Sequence, residues 1–306
     1  MAHGRRAGRH VCSSIAFLAL IAWGGVCFLP SLHQQQFEEI DNEEQEVAFN
    51  RTNKPANEEN PAQRLKWFLT NPTASCKKLR RLGGRSCLGA YDGAKLVCLD
   101  TGVAPTARNC LVYSFGVGND FTFDEQMQDF GCEVHAFDHD ADHDVYDHRI
   151  GPSVIFHKAR VGFKTGYFKY CEESPSGMEC DPFIRYQTFE DIRRSLGHET
   201  RNLDYLKMDI EGGEWIVLDN IMRTTNALNA TSQISLEIHF DEIMKEKPLE
   251  EKRKDIEKYL AVFDNLAKLG FQIMNFEENE LNPQYETVDG VTLAVYAEIL
   301  LSRSNI

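Results

Sequence analysis

From residue 110 onward, short apolar runs alternate with amphipathic stretches, and this alternation leaves the chain few folds to choose from. The runs at 111–115 (LVYSF), 132–137 (CEVHAF), 153–157 (SVIFH), 203–208 (LDYLKM) and 233–238 (QISLEI) are apolar blocks of the kind that strands buried on both faces produce. Helical patterns separate them at 122–130, 189–196, 214–224 and 249–269. In the last of these, Ile256, Tyr259, Leu260, Phe263 and Leu266 keep helical spacing, and Gly270 is its stop. Thr122 with Glu125 reads as a capping box, and Gly131 is placed to end the helix at 122–130. Strands alternating with helices specify an α/β fold with a mostly parallel sheet. The two last strands, 271–276 and 291–299, have a polar loop and no helix between them, so they are expected to pair as a C-terminal antiparallel hairpin.

The N-terminus gives the chain an address. Residues 11–29 carry no charge, and a helix of that length spans ~28 Å at 1.5 Å per residue. Arg5, Arg6 and Arg9 precede it, while Glu38, Glu39, Asp41, Glu43, Glu44 and Glu46 follow. The positive-inside rule then predicts a cytosolic tail (1–10), a transmembrane signal anchor (11–29) and a lumenal remainder. A cleaved signal peptide with Ala22 and Gly24 at its cleavage site is the competing reading; the apolar run continues past it to Leu29, which favours the uncleaved anchor. Both readings lead into the secretory pathway. Residues 31–60, rich in Gln, Glu and Asn, read as a flexible stem, 61–110 as an N-terminal cap, and 111–306 as the main domain. Asn50 and Asn229 lie in glycosylation sequons, whereas Pro72 disables the one at Asn71. Close spacing suggests bridges 76/87, 98/110 and 171/180, with Cys132 left as a buried thiol, although spacing alone does not fix connectivity. A formal charge of −14 argues against nucleic acid as a partner.

Three phrases carry chemistry. In SFGVGND (114–120) a strand runs into a glycine turn and then a helix, so Gly116 and Gly118 let backbone approach a ligand and the helix start offers amide donors. Ser114, Asn119 and Asp120 flank this turn. The next strand ends at Phe137-Asp138-His139, where the Asp138 carboxylate is placed to accept both ribose hydroxyls of a nucleoside cofactor. In LKMDIEGGEW (206–215) a strand delivers Asp209 and Glu211 to the carboxyl edge of the sheet, where ligands of doubly wound folds sit. The following strand adds Glu237 and His239, two residues apart and therefore on one face. His239 is the candidate base, oriented by Asp209 or Glu237. The His- and Asp-rich stretch 139–148 reads as a solvated acidic loop and not as a metal site.

SFGVGND, CEVHAFD, LKMDIEGGEW and LEIHF together resemble the FkbM-type methyltransferase domain, in particular an animal branch with an N-terminal anchor and a segment like DGAKLVCLD at 92–100. The resemblance spans roughly residues 65–300. It implies a Rossmann-like class I methyltransferase fold, S-adenosylmethionine as cofactor with Gly116, Gly118 and Asp138 in its pocket, and an active site bordered by Asp209 and Glu211. The acceptor, whether small molecule, glycan or protein, is left open. Ser114, where many class I enzymes carry an acid, and Asp120, where a third glycine is frequent, depart from the family pattern. Two rival readings remain. A nicotinamide-dependent dehydrogenase of the short-chain type needs its Tyr-x-x-x-Lys after the fourth strand, and Tyr91 to Lys95 comes before the glycine turn. A lumenal pseudoenzyme acting as a binding or scaffold module is permitted by the altered glycine turn, while the presence of Asp138, Asp209, Glu211 and His239 argues against it.

Overall fold

The computed structural model describes residues 60–87, 90–106, 109–139, 146–174 and 177–303. The expected anchor at 11–29, all but the last residue of the stem, and the sequon at Asn50 lie outside the described residues. Among the described residues, no helix is long and apolar enough to cross a membrane.

The chain opens with α1 (Pro61–Thr70), which Asn60 caps by accepting the amides of Ala62 and Gln63 at 3.0 and 3.1 Å. Four short strands follow: β1 (Leu79–Leu82), β2 (Arg85–Cys87), β3 (Ala90–Asp92) and β4 (Lys95–Cys98). Then come β5 (Cys110–Phe115), α2 (Thr122–Asp129), β6 (Cys132–Asp138), β7 (His148–Arg149) and β8 (Val154–Lys158). An inserted unit of β9 (Arg160–Gly162), β10 (Gly166–Ser174) and β11 (Gly177–Thr188) precedes α3 (Phe189–Ser195), β12 (Leu203–Met208) and α4 (Glu214–Thr224). The remainder is β13 (Thr231–His239), α5 (Asp241–Met244), α6 (Leu249–Lys268), β14 (Phe271–Glu278), β15 (Tyr285–Val288), β16 (Val291–Ala294) and β17 (Tyr296–Arg303).

Eight strands form the central sheet in the order β14-β17-β13-β12-β5-β6-β8-β7. The five from β13 to β8 are parallel, whereas β17 is antiparallel to both β13 and β14. The chain therefore winds outward from β5 through β6 to β8, returns to β12, and continues to β13 in the opposite direction. The switch point lies between β5 and β12, and a crevice opens there at the carboxyl ends of the strands. This is a methyltransferase-like Rossmann fold, and the antiparallel C-terminal strands pair as expected.

Both faces of the sheet are covered. On one, Ala62, Leu65 and Leu69 of α1 join residues of α3, α4 and α6 over Leu111, Tyr113, Phe115 and Leu206. On the other, Phe123 and Met127 of α2 pack with Leu82, Leu96 and Val97 of the β1–β4 hairpin. The N-terminal cap thus clasps the sheet from both sides.

Four expectations need correction. Segment 160–188 has no continuous apolar run and was assigned no element, yet it forms the β9–β11 unit, whose hairpin exposes Tyr167 and Phe183. The strand expected at 291–299 is two strands, β16 and β17, divided at Val295. Thr122 does not head a capping box; it is the first residue of α2, and its amide and hydroxyl both go to Asp120 Oδ1, at 3.0 and 2.6 Å. The disulfides are Cys76–Cys98 and Cys110–Cys132, so Cys132 is not a free thiol. Sheet register, not sequence spacing, decides this: Cys110 and Cys132 are direct partners at the start of β5 and β6, and Leu79 pairs with Cys98 across β1–β4. Cys171 and Cys180 are register partners in β10–β11.

Peptide mapping without reduction should recover the 76–98 and 110–132 linkages. Each closes a separation of 22 residues, so Cys110→Ser with Cys132→Ser should lower stability by about 3 kcal/mol in chemical denaturation. Recovery of a 98–110 linked peptide would contradict the register.

Candidate functional site

At the switch point, the end of β5 touches the end of β12. Gly116 has φ of 79°, and a Cβ there would lie 1.6 Å from the Asp209 carbonyl oxygen. The space that glycine leaves open is therefore filled by the neighbouring strand end. The Gly116 amide donates to Phe137 O at 2.9 Å, and its carbonyl accepts from Lys207 Nζ at 2.7 Å. Gly118, also at positive φ, donates its amide to Asp138 Oδ2 at 2.7 Å, and the His139 amide donates to Asp138 Oδ1 at 2.6 Å. Asp138 is thus oriented by backbone amides at the end of β6, directly across from the glycine turn.

The other residues expected around a cofactor divide. Asn119 is exposed on the turn. Asp120 organises the start of α2 and lies 3.4 Å from Arg85. Ser114 is fully buried beneath the sheet edge and faces α2, where Asp124 is also fully buried. Burial pushes the Asp124 carboxyl up to about 6, against the pull of Lys207 and Ser114.

The ends of β12 and β13 build a polar cluster. Glu211 adopts φ of 59°, an uncommon conformation for a side-chain-bearing residue, and its carboxylate lies 3.6 Å from His239 Nε2. His239 Nδ1 lies 3.1 Å from Glu214 Oε1, which also accepts the Ile210 amide at 2.8 Å. Trp215 Nε1 donates to the His239 carbonyl at 2.7 Å, fixing the strand end beneath the ring. Burial by itself would keep His239 neutral. Glu214, Glu237 and Asp209 outweigh that effect and raise its pKa to about 10, so the ring is an imidazolium at neutral pH.

Lys95, on β4 of the cap, completes the cluster. Its Nζ contacts Glu298 of β17 and lies 3.6 Å from Glu237 and 3.7 Å from Asp209. Burial favours the neutral forms of all four groups, but the three carboxylates hold Lys95 protonated. Lys95 in turn keeps Asp209 ionised, against the same burial. Burial and the adjacent Asp209 charge push Glu237 well upward. Of the two, Glu237 is therefore the carboxyl that holds a proton more readily, and Asp209 the one that gives it up.

The structure thus brings Asp209, Glu211, Glu237 and His239 to one edge, with Gly116, Gly118, Asp138 and His139 beside them. Lys95, Glu214, Glu298 and Lys207 were missed. The available signal was a charge interrupting an apolar strand, as in Ala94-Lys95-Leu96-Val97 and Tyr296-Ala297-Glu298-Ile299. Of the stretch 139–148, residues 140–145 lie outside the described residues. Asp147 is bound to Arg185 at 3.0 Å and to the Lys158 amide at 2.8 Å.

Two other groups have ligand-like composition. Ligand atoms of Glu133, His135 and His198 lie within 4.8 Å of one another on β6 and after α3. There Glu133 pairs with Arg201 at 2.6 Å, and His198 Nδ1 bonds Tyr113 Oη at 2.9 Å. A cavity of about 400 Å³ opens between Ile210–Glu211 and the inserted unit, lined by Arg160, Phe163, Lys164, Phe168 and Tyr186.

Residues 26–290 match a family model described as a methyltransferase domain. Over 153 residues the chain is 31% identical to probable methyltransferase-like protein 24 of Rattus norvegicus, covering 47% of this chain and 38% of the relative. The Homo sapiens protein of the same name is 31% identical over 152 residues, covering 47% and 37%. The chain thus spans less than two fifths of the length of these relatives. Among solved structures, a Methanococcus jannaschii fibrillarin pre-rRNA processing protein aligns with 74% of this chain and 90% of its own, at 10% identity and a TM-score of 0.35.

Two outcomes follow from the geometry. Gly116→Ala should cost more than about 4 kcal/mol in denaturation, because backbone must move to admit the methyl group. Gly197→Ala, at φ of 70° with nothing within 4 Å of the added atom, should cost only about 1 kcal/mol. Equal losses would show that the β5–β12 contact is slack. For His239, the folded pKa of about 10 lies above the ordinary imidazole value of 6.5. Its contribution is complete below the lower value and is lost as pH rises toward the upper one. Wild-type stability should therefore fall between those values by a few kcal/mol more than that of His239→Gln. Parallel curves for the two proteins would exclude a raised pKa.

Proposed function

Because the chain belongs to the methyltransferase-domain family, we propose that it transfers a methyl group from S-adenosylmethionine to a hydroxyl-bearing acceptor in the lumen of the secretory pathway. The observation that carries this reading is the arrangement at the switch point. An oriented carboxylate, Asp138, faces a glycine turn at the ends of adjacent parallel strands, and an ionised cluster occupies the next two strand ends.

The residues present fit the cofactor. Asp138 is an acceptor oriented by the amides of Gly118 and His139, which suits ribose hydroxyls. S-adenosylmethionine supplies an electrophilic methyl group, so the protein's task is to orient the acceptor and take one proton. The base expected at His239 needs a neutral ring, and its carboxylate neighbours keep it protonated. The imidazolium serves instead as a donor that orients the acceptor, and Asp209 receives the proton. An oxygen already bonded to the incoming methyl is strongly acidic, so a carboxylate of low pKa is a sufficient base. Glu211, half-exposed beside His239, borders the acceptor side.

Lumenal placement is supported by the charge asymmetry around residues 11–29, by two disulfides and by exposed Asn229 in its sequon. The residue arrangement favours an active enzyme over a binding module, since a scaffold has no use for a buried carboxyl pair shifted in opposite directions beside the crevice.

Calorimetric titration of the full chain with S-adenosylmethionine tests the reading. Wild type should bind, and Asp138→Ala should bind about 10- to 100-fold more weakly, the loss expected for paired hydrogen bonds to a charged acceptor. Unchanged affinity in a folded Asp138→Ala protein would remove the ribose assignment, and no binding by wild type would remove the function.

A further inference from the structure

Asp209, Glu237 and His239 present ligand atoms within 4.8 Å of one another, two carboxylates and an imidazole converging as they do around a divalent cation. A cation is already there. Lys95 is 0% exposed on its side chain, and its Nζ lies 3.7 Å from Asp209 and 3.6 Å from Glu237 while contacting Glu298. The three carboxylates come from the end of β12, from β13 and from β17; Lys207 and His239 of those strands offset part of their charge, but the cation that sits among all three is Lys95. The charge arrives from the cap. Strand β4 is fixed against β13 by a reciprocal pair of bonds, the Cys98 amide to Gln233 Oε1 and Gln233 Nε2 to the Cys98 carbonyl, each 2.8 Å. The Cys76–Cys98 disulfide ties down the same strand three residues from Lys95. Each of these bonds sets how deeply the Lys95 stem reaches.

We propose that Lys95 is a positioning residue whose ammonium, tethered through the cap, takes the place of a divalent metal ion among Asp209, Glu237 and His239. A tethered cation differs from a bound one in a way that matters here. It cannot be lost to chelators, it offers no open coordination position to an acceptor, and it stands 3.7 and 3.6 Å from Asp209 and Glu237, wider than the ~2.0–2.6 Å of metal–oxygen bonds. Acceptor orientation then falls to the carboxylates and His239 themselves. The functional meaning of this arrangement rests on the methyltransferase reading, but the cation exchange does not.

Electron paramagnetic resonance of free Mn²⁺ tests the exchange without any assay of methyl transfer. Titrated with Mn²⁺ at neutral pH, the wild-type full chain and its Asp209→Asn variant should bind the same number of ions. Lys95→Ala should take up one ion more than Lys95→Ala combined with Asp209→Asn, at least about tenfold more tightly than any site in wild type, since affinity follows the ligand charge left unpaired. Lys95→Arg should behave as wild type. A bound ion lost from wild type on Asp209→Asn would overturn the proposal, and this comparison stands even if Lys95→Ala does not fold. A folded Lys95→Ala that gains no ion would overturn it equally. Failure to bind S-adenosylmethionine would instead count against the methyltransferase reading and leave this result intact.

Discussion

The carbonyl of Asp209 lies where any side chain at residue 116 would have to be, and that contact sets how closely β5 and β12 approach at the switch point. Every other feature of the site inherits its position from it. The Asp209 amide donates to Phe115 O at 3.0 Å, so the parallel ladder continues to the last residue before the two strands part. Lys207, one turn of the pleat earlier on β12, reaches across to the Gly116 carbonyl. The glycine turn is consequently held from below by β12 and from the side by Asp138. Glycine at 116 thus meets a demand of the fold as much as one of binding. A motif reading that assigns it to the cofactor alone would expect alanine to cost affinity, whereas the packing says that it costs the sheet.

How far the residues disclosed this in advance depended on where each signal resides. Buried parallel strands announce themselves, because both faces are apolar and the run is continuous; β5, β6, β12 and β13 were legible for that reason. The β10–β11 hairpin was not, since both its faces are mixed, and Pro182 and glycines argue against a strand. Disulfide partners were illegible because Cys110 and Cys132 meet through parallel register, which brings together residues separated by an entire helix. The chemistry divided likewise. Asp138, Asp209, Glu211 and His239 stand at strand ends, where the topology of an α/β sheet already points to ligands. Lys95 and Glu298 lie on strands far apart in sequence, and only the packing of β4 on β13 and β17 reveals that they meet.

The cluster's electrostatics follow from the count of charges that burial must accommodate. Lys95 and His239 sit among Asp209, Glu211, Glu214, Glu237 and Glu298, and Lys207 acts on the same group. Burial and negative neighbours raise Glu237 well above, and Glu298 above, the ordinary carboxylate value. Asp209 escapes because Lys95, Lys207 and His239 all favour its charge. Removing any one partner redistributes the protons among the rest, and single substitutions here will not add.

Histidine shows why residue type alone could not fix these roles. His239 and His135 are both buried, and each has a glutamate within 3.1 and 2.9 Å, respectively. Yet His239 is raised to about 10, while burial lowers His135 to about 4. The difference lies in what else each glutamate serves. Glu133 is half-exposed and shared with Arg201, and His157 and His198 oppose its pull on the same ring. Glu214 is fully buried and, among the described residues, pairs with His239, and Glu237 and Asp209 add to it. Proximity of a carboxylate is therefore not enough to charge an imidazole; the carboxylate's own charge must be unspent. On one side of this sheet it is spent on an arginine, which leaves a neutral, hydrogen-bonded histidine core around Tyr113. At the carboxyl edge it is not, and the imidazolium it sustains is what gives the crevice its donor.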